Sequence, residues 1–198
     1  MSLMSLSRMV WSEREGWLEL QRDHPSVAKL WLAFVLPMSL IPPAMFVFSA
    51  LVYPGAVFPQ LEPQMSLREA LIVGGAFFLA ELAMVQLMAL VITQVTELSG
   101  ESTTFQQAFT LAAVAPTPLW AAALVLILPS AWLVVLMMVV AWGASVALIW
   151  HGVGPLLGIG DHAKSRLMAS FITTTGVMAW IGLIIVLVML LSMIMGFR

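Results

Sequence analysis

Residues 131–150 read AWLVVLMMVVAWGASVALIW, twenty positions without a single charged side chain. An α-helix rises 1.5 Å per residue, so ~20 apolar residues cover the ~30 Å hydrocarbon core of a bilayer. The run continues to Leu157, and four others like it occur in the chain. Working outward, the apolar segments cover about 30–52, 70–95, 105–128, 131–157 and 167–197. Turn signals separate them: Tyr53-Pro54-Gly55 through Pro63, Ser99-Gly100-Glu101-Ser102, Pro129-Ser130 and Gly158-Ile159-Gly160-Asp161. The expected fold is all-α, a polytopic membrane protein with a five-helix bundle over residues 30–198. The short Pro129-Ser130 connection predicts a tight antiparallel hairpin between segments three and four.

Composition supports this reading. Of the 198 residues, 62% are apolar and 9% charged, and the mean hydropathy is +1.04. A soluble domain wets its surface with roughly a quarter charged residues. The net charge of −2 and the lack of any basic tract give no footprint for nucleic acid. With no cysteine, disulfides, thiolate catalysis and cysteine metal sites are excluded. The first apolar run starts only at Leu30, so segment one is expected to act as its own targeting signal.

With five crossings, one side holds Arg8, Arg14, Arg22, Lys29, Lys164 and Arg166, and the other only Arg68 and Arg198. The positive-inside rule then places the N-terminus in the cytoplasm and the C-terminus outside. Residues 1–29 form a short N-terminal segment in which Val10, Trp11, Trp17 and Leu18 fall on one side of an amphipathic helix. Two tryptophans on that face suit either the headgroup level or packing on the bundle.

Polar groups are costly in hydrocarbon, so the few inside the segments are the candidate intramembrane polar site: Glu81, Gln86, His151 and Thr174. On segment two, Gln86, Thr93 and Glu97 lie within about 20° of one line, whereas Glu81 points about 140° away from Gln86. Glu81 therefore meets a different neighbour. A carboxyl and an imidazole that share a watery cavity could handle protons, a cation or a polar headgroup. The plainer reading is helix–helix hydrogen bonding, with Gln86 and the run Thr173-Thr174-Thr175 as glue.

Small residues at i, i+4 spacing allow close helix approach: Ala108 and Ala112 on segment three, Gly143 and Ala147 on segment four. Prolines predict kinks at Pro37, Pro42 and Pro43 in segment one and at Pro116 and Pro118 in segment three, since each frees backbone carbonyls. Pro116 and Pro118 leave open whether segment three is one crossing, two half-helices or a re-entrant loop. HExxH, GxSxG, GxxxxGK[ST] and GxGxxG are all absent, and the Asp161-His162 and Asp23-His24 pairs suggest loop chemistry and no metal site. No cofactor and no catalytic residue are expected.

The order of features resembles a known family. Trp11-Ser12-Glu13-Arg14-Glu15-Gly16-Trp17 leads into Val35-Leu36-Pro37-Met38-Ser39-Leu40-Ile41-Pro42. Pro116-Thr117-Pro118-Leu119-Trp120 follows, and then Trp150-His151-Gly152-Val153-Gly154-Pro155 before a lysine-bearing loop and a last apolar segment. This is similar to the Yip family, the Ypt/Rab-interacting membrane proteins, in its short prokaryotic form. The resemblance implies five membrane helices with a cytoplasmic N-terminus and a bacterial inner-membrane location. Eukaryotic relatives bind small GTPases and one another in vesicle traffic. The long N-terminal domain of those relatives is missing here, so small-GTPase binding is not expected.

Two functional readings follow. The first is non-enzymatic membrane organisation, scaffolding or a trafficking-like role through helix packing with itself or other membrane proteins. The alternative is a small transporter, channel or lipid translocator with a polar path around Glu81. For either, the lipid bilayer is the first partner.

Overall fold

The computed structural model describes Trp17, residues 25–55 and residues 65–196. The expected helix through Val10, Trp11 and Leu18, and the Asp23-His24 pair, lie outside these. Five helices are long and apolar enough to cross a membrane: α1 Val27–Val52, α2 Leu67–Leu98, α3 Phe105–Ile127, α4 Ala131–Leu157 and α5 His162–Gly196. Among the described residues there is no strand. Leu79, Leu87, Val139, Ile185 and Met189 are among many large apolar side chains left on the outside. That surface is stable only against hydrocarbon.

Three helices, α1, α2 and α5, start earlier than the apolar runs, and α3 starts where its run does. Ser26 caps α1 by accepting from the Lys29 N–H at 3.3 Å. Ser66 and Glu69 form a reciprocal capping box at the start of α2, and Thr104 with Gln107 does the same for α3. On α5 the expected start near Leu167 moves to His162, because Asp161 Oδ1 accepts from the Ala163 N–H at 2.8 Å. Hydropathy detects where apolar residues begin, whereas the helix extends into its own polar first turn. At the end of α4, Gly158 takes a left-handed conformation (φ +74°) that turns the chain toward α5.

The prolines interrupt α1 and α3 without ending them. Before Pro37, α1 widens into a π-turn over Trp31–Val35, in which the Leu36 N–H donates to the Trp31 carbonyl. Pro42 and Pro43 lie in the first turn of the following stretch, Ile41–Val52, where missing N–H groups cost least. In α3, Phe105–Val114 breaks at Ala115-Pro116, resumes as Thr117–Ala122 and tightens to a 3-10 turn over Ala123–Ile127. That last turn packs on the second half of α1, so α3 extends the full length of the bundle. The Leu128–Ser130 link then returns the chain directly into α4.

α2 packs against α1, α3 and α5, and α3 packs against α1, α2 and α4. α4 and α5 close the other side, leaving α2 and α4 facing each other across a gap. At one end Trp17, Phe109, Leu111, Leu148, Leu156 and Ile172 form a tight core. Trp17 is fully buried there, packed on the bundle. Nearby, Lys164 Nζ sits 3.0 Å from Glu101 Oε1, a pair linking the first turn of α5 to the α2–α3 connection. A smaller cluster of Ala50, Met65, Ala70, Val73 and Leu191 holds the far end.

α1 packs tightly against α2 at Gly74. A Cβ there would lie 2.9 Å from Val47 Cγ2 and 3.4 Å from the Pro43 carbonyl oxygen. Gly74→Val should therefore cost about 1–3 kcal/mol, read as a lower unfolding temperature in detergent. Gly75 has open space around it and should accept the same change with little effect.

Candidate functional site

The buried stripe of α2 runs through Val73, Gly74, Glu81, Val85, Ala89, Ile92 and Thr96. Glu81 lies half-way along it and is 5% exposed, the single acidic residue in an otherwise apolar and hydroxyl row. It opens into a cavity of about 130 Å³ enclosed by α2, α3, α4 and α5. The proline break in α3 restarts the helix so that buried Trp120 reaches this level, and its indole stands beside the Glu81 carboxyl. The carboxyl oxygen Oε2 has no partner among the described residues.

Two further polar atoms share this environment. Ser145 from the buried face of α4 and Thr173 from α5 both line the cavity, and neither hydroxyl oxygen has a partner among the described residues. Other described hydroxyls bond a carbonyl of their own helix, as Thr93 does to Ala89 and Thr96 to Ile92. The rest of the lining is apolar, with small residues at Ala112, Ala115, Gly176 and Ala179 that leave the space unfilled. Trp142 of α4 and Trp180 of α5 meet edge-on on its wall, centroids 5.4 Å apart and planes at 83°.

The other expected site residues lie elsewhere. His151 is half-buried on α4 and does not line the cavity, so it and Glu81 do not share one. Thr174 is exposed and donates to the Ser170 carbonyl at 2.9 Å, leaving its neighbour Thr173 to face inward. Gln86 is half-buried away from the cavity. Ala108 and Ala112 are buried in the bundle, on the helix that packs most extensively against α2. Gly143 is exposed with nothing within 4 Å of a Cβ built on it, and Ala147 is half-buried, so this pair is not a contact ridge inside the bundle. The packing glycine of α4 is Gly152, where a Cβ would lie 2.7 Å from Trp17 Cη2. Among the described residues no three His, Cys, Asp or Glu side chains form a metal-binding group.

Sequence reading missed Trp120, Ser145, Thr173, Trp142 and Trp180 as site residues. A usable signal did exist in the small residues of α3 and α5, which spare room at one depth, but their rotation toward Glu81 is tertiary information.

The model of the Yip1 domain matches residues 8–183. The chain belongs to the Yip1 family. The match begins in the N-terminal segment, so Trp17 and its socket at Gly152 are inside the Yip1 domain. It also includes the Glu81 cavity with every lining residue, the last of which in the chain is Leu183. Neither the curated proteins nor the solved structures gave a match.

Proposed function

We propose that this Yip1-domain protein is a non-enzymatic membrane organiser that acts by lateral association of its helices, with a second copy as the first partner. The observation that carries the reading is α5. In its most apolar window only 6% of residues are buried inside the bundle, against 28–44% for the other four helices, and its mean hydropathy is 2.8. Met178, Ile181, Ile185, Val188 and Met189 on α5 are all exposed. Such a helix gains little from its own bundle and has a long face available for van der Waals packing with a neighbouring helix. The bias of basic residues supports a cytoplasmic Trp17 end, and the resemblance to the short prokaryotic form supports a bacterial inner-membrane location.

The natural absence of cysteine makes the test direct. In reconstituted membranes, Ile185→Cys should cross-link between copies several-fold more efficiently than Leu32→Cys on α1, another exposed apolar site. Equal, dilution-sensitive cross-linking at both positions would reject association through α5.

The cavity favours a second reading, ligand binding within the membrane, over axial transport. Glu81, Ser145 and Thr173 supply polar atoms at mid-depth. Between them and the Trp17 end stand Leu111, Leu148, Val153 and Leu156, all 2% exposed or less. A packed apolar plug of this kind offers no hydrogen-bonding relay to a proton or ion.

A further inference from the structure

The cavity has a continuation on the outside of the bundle. A groove of about 520 Å³ runs along α4 beside Met138, Val139 and Gly143, and it shares Trp142, Val146 and Trp180 with the cavity wall. Gly143 forms an open part of this groove because no side chain stands above it. The edge-on Trp142–Trp180 pair thus stands in the wall of both the interior cavity and this apolar groove.

We infer that the cavity binds the hydroxyl end of a neutral membrane lipid, which enters sideways between α4 and α5 with its chain in the Gly143 groove. This rests on the ligand-binding reading of the cavity and is independent of association through α5. The polar atoms without partners are Glu81 Oε2, Ser145 Oγ and Thr173 Oγ1, on side chains 5% exposed for Glu81 and 8% for Ser145. One alcohol can both donate to and accept from such a set. No lysine, arginine or histidine lines the cavity, so a phosphate headgroup would be buried without a counter-charge. The size also selects: a cavity of about 150 Å³ holds a benzene-sized molecule, so this one admits the end of a chain and not a glycerophospholipid headgroup.

The apolar plug at the Trp17 end closes the axial route there, while on the lateral side Trp142 and Trp180 are shared between the cavity and the groove. The inversion of the usual lipid arrangement, polar end inward and chain outward, follows from where the carboxyl sits. A hydroxyl dissolved at mid-bilayer has no hydrogen-bond partner in hydrocarbon, and Glu81 with its two neighbours provides one.

The test uses the full chain in phosphatidylcholine vesicles doped with a C16 alcohol that carries a diazirine next to its hydroxyl end. The matching methyl ether and primary amine serve as comparison probes. Photolabelled peptides are mapped by mass spectrometry. The alcohol is expected to label the α4 and α5 residues around the cavity about tenfold more than the ether, the factor one well-placed hydrogen bond supplies. Glu81→Leu should bring the two probes toward equality. Gly143→Phe, which fills the groove at an exposed position, should reduce alcohol labelling of the cavity to the ether level while the unfolding temperature stays that of the parent. Equal labelling by alcohol and ether in the parent protein overturns the proposal, as does stronger labelling by the amine. Unchanged labelling in Gly143→Phe overturns the lateral entry route. If Glu81→Leu does not fold, the parent comparison and Gly143→Phe decide. Failure of these arms leaves the cross-linking result at Ile185 untouched. A cavity that labels equally with all three probes would show a site without preference for the hydroxyl, distinct from a cavity that labels with none.

Discussion

Gly152→Val is expected to overpack the socket of Trp17 and lower the unfolding temperature by roughly 5–10 °C, given ~2–4 °C per kcal/mol for a chain of this size. A Cβ at position 152 would lie 2.7 and 2.8 Å from two Trp17 ring carbons and 3.0 Å from Leu111 Cδ1. An indole ring is rigid, and Trp17 and Leu111 are both fully buried, so the ring has nowhere to move except out. Overpacking costs about 1–3 kcal/mol, and a buried tryptophan that leaves its site forfeits about 3–5 kcal/mol. The protein settles on the smaller of these losses, and either is large for one methyl-bearing side chain.

Thermal unfolding in detergent measures the loss, and hydrogen exchange of the peptide around residue 17 shows whether the N-terminal segment has detached. The pair Trp17→Leu with Gly152→Ala makes the argument specific. Leucine does not extend to the atoms that meet position 152, so the double variant should be more stable than the sum of its single changes predicts. Strict additivity would mean that the two residues do not press on each other.

Glu81→Lys is expected to have the largest effect of any single change at the cavity, a loss of accumulated folded protein. The carboxyl has the Trp120 indole beside it, and no cation or second acid lines its cavity. A lysine ammonium placed there would have only hydroxyls and indole rings as company. Inserting such a charge at the centre of a membrane helix costs about 2.5–3.5 kcal/mol on the insertion scale, and the ordered helices around α2 prevent the side chain from reaching either surface.

Glu81→Gln preserves shape and an oxygen for the Trp120 N–H, so it should fold close to the parent level. Glu81→Leu falls between them, because it leaves the buried indole N–H without an acceptor, a loss of about 1–3 kcal/mol. The order of folded yield, Gln above Leu above Lys, can be read by size-exclusion chromatography of membrane extracts. A lysine variant that folds as well as the glutamine variant would mean that Glu81 sits in contact with water or with a carboxylate.

Much of the architecture was legible from residues alone. The uncharged run 131–150 requires hydrocarbon around it whatever else the chain does, since no soluble surface can be made from such segments. Pro129-Ser130 ended one helix and began the next as expected. Ser66, Thr104 and Asp161 announced helix starts by their chemistry, although hydropathy alone placed two of them several residues late. Glu81 stood out as a carboxyl at mid-segment depth, and the structure places it in a cavity. The pairing with His151 did not follow, because the two residues are directed to different parts of the bundle.

The sequence by itself determined which segments leave water and how residues are spaced around each one. Only the tertiary structure decided that Trp120, Ser145 and Thr173 turn toward Glu81, that Thr174 turns away, and that Gly143 looks outward while Gly152 holds Trp17. The reason is physical. In a membrane the lipid-facing and protein-facing sides of a helix are equally apolar, so a hydrophobic pattern that orients helices in water carries little information about rotation here. Side-chain packing sets that rotation, and with it the single cavity wall on which a carboxyl and two hydroxyls come together.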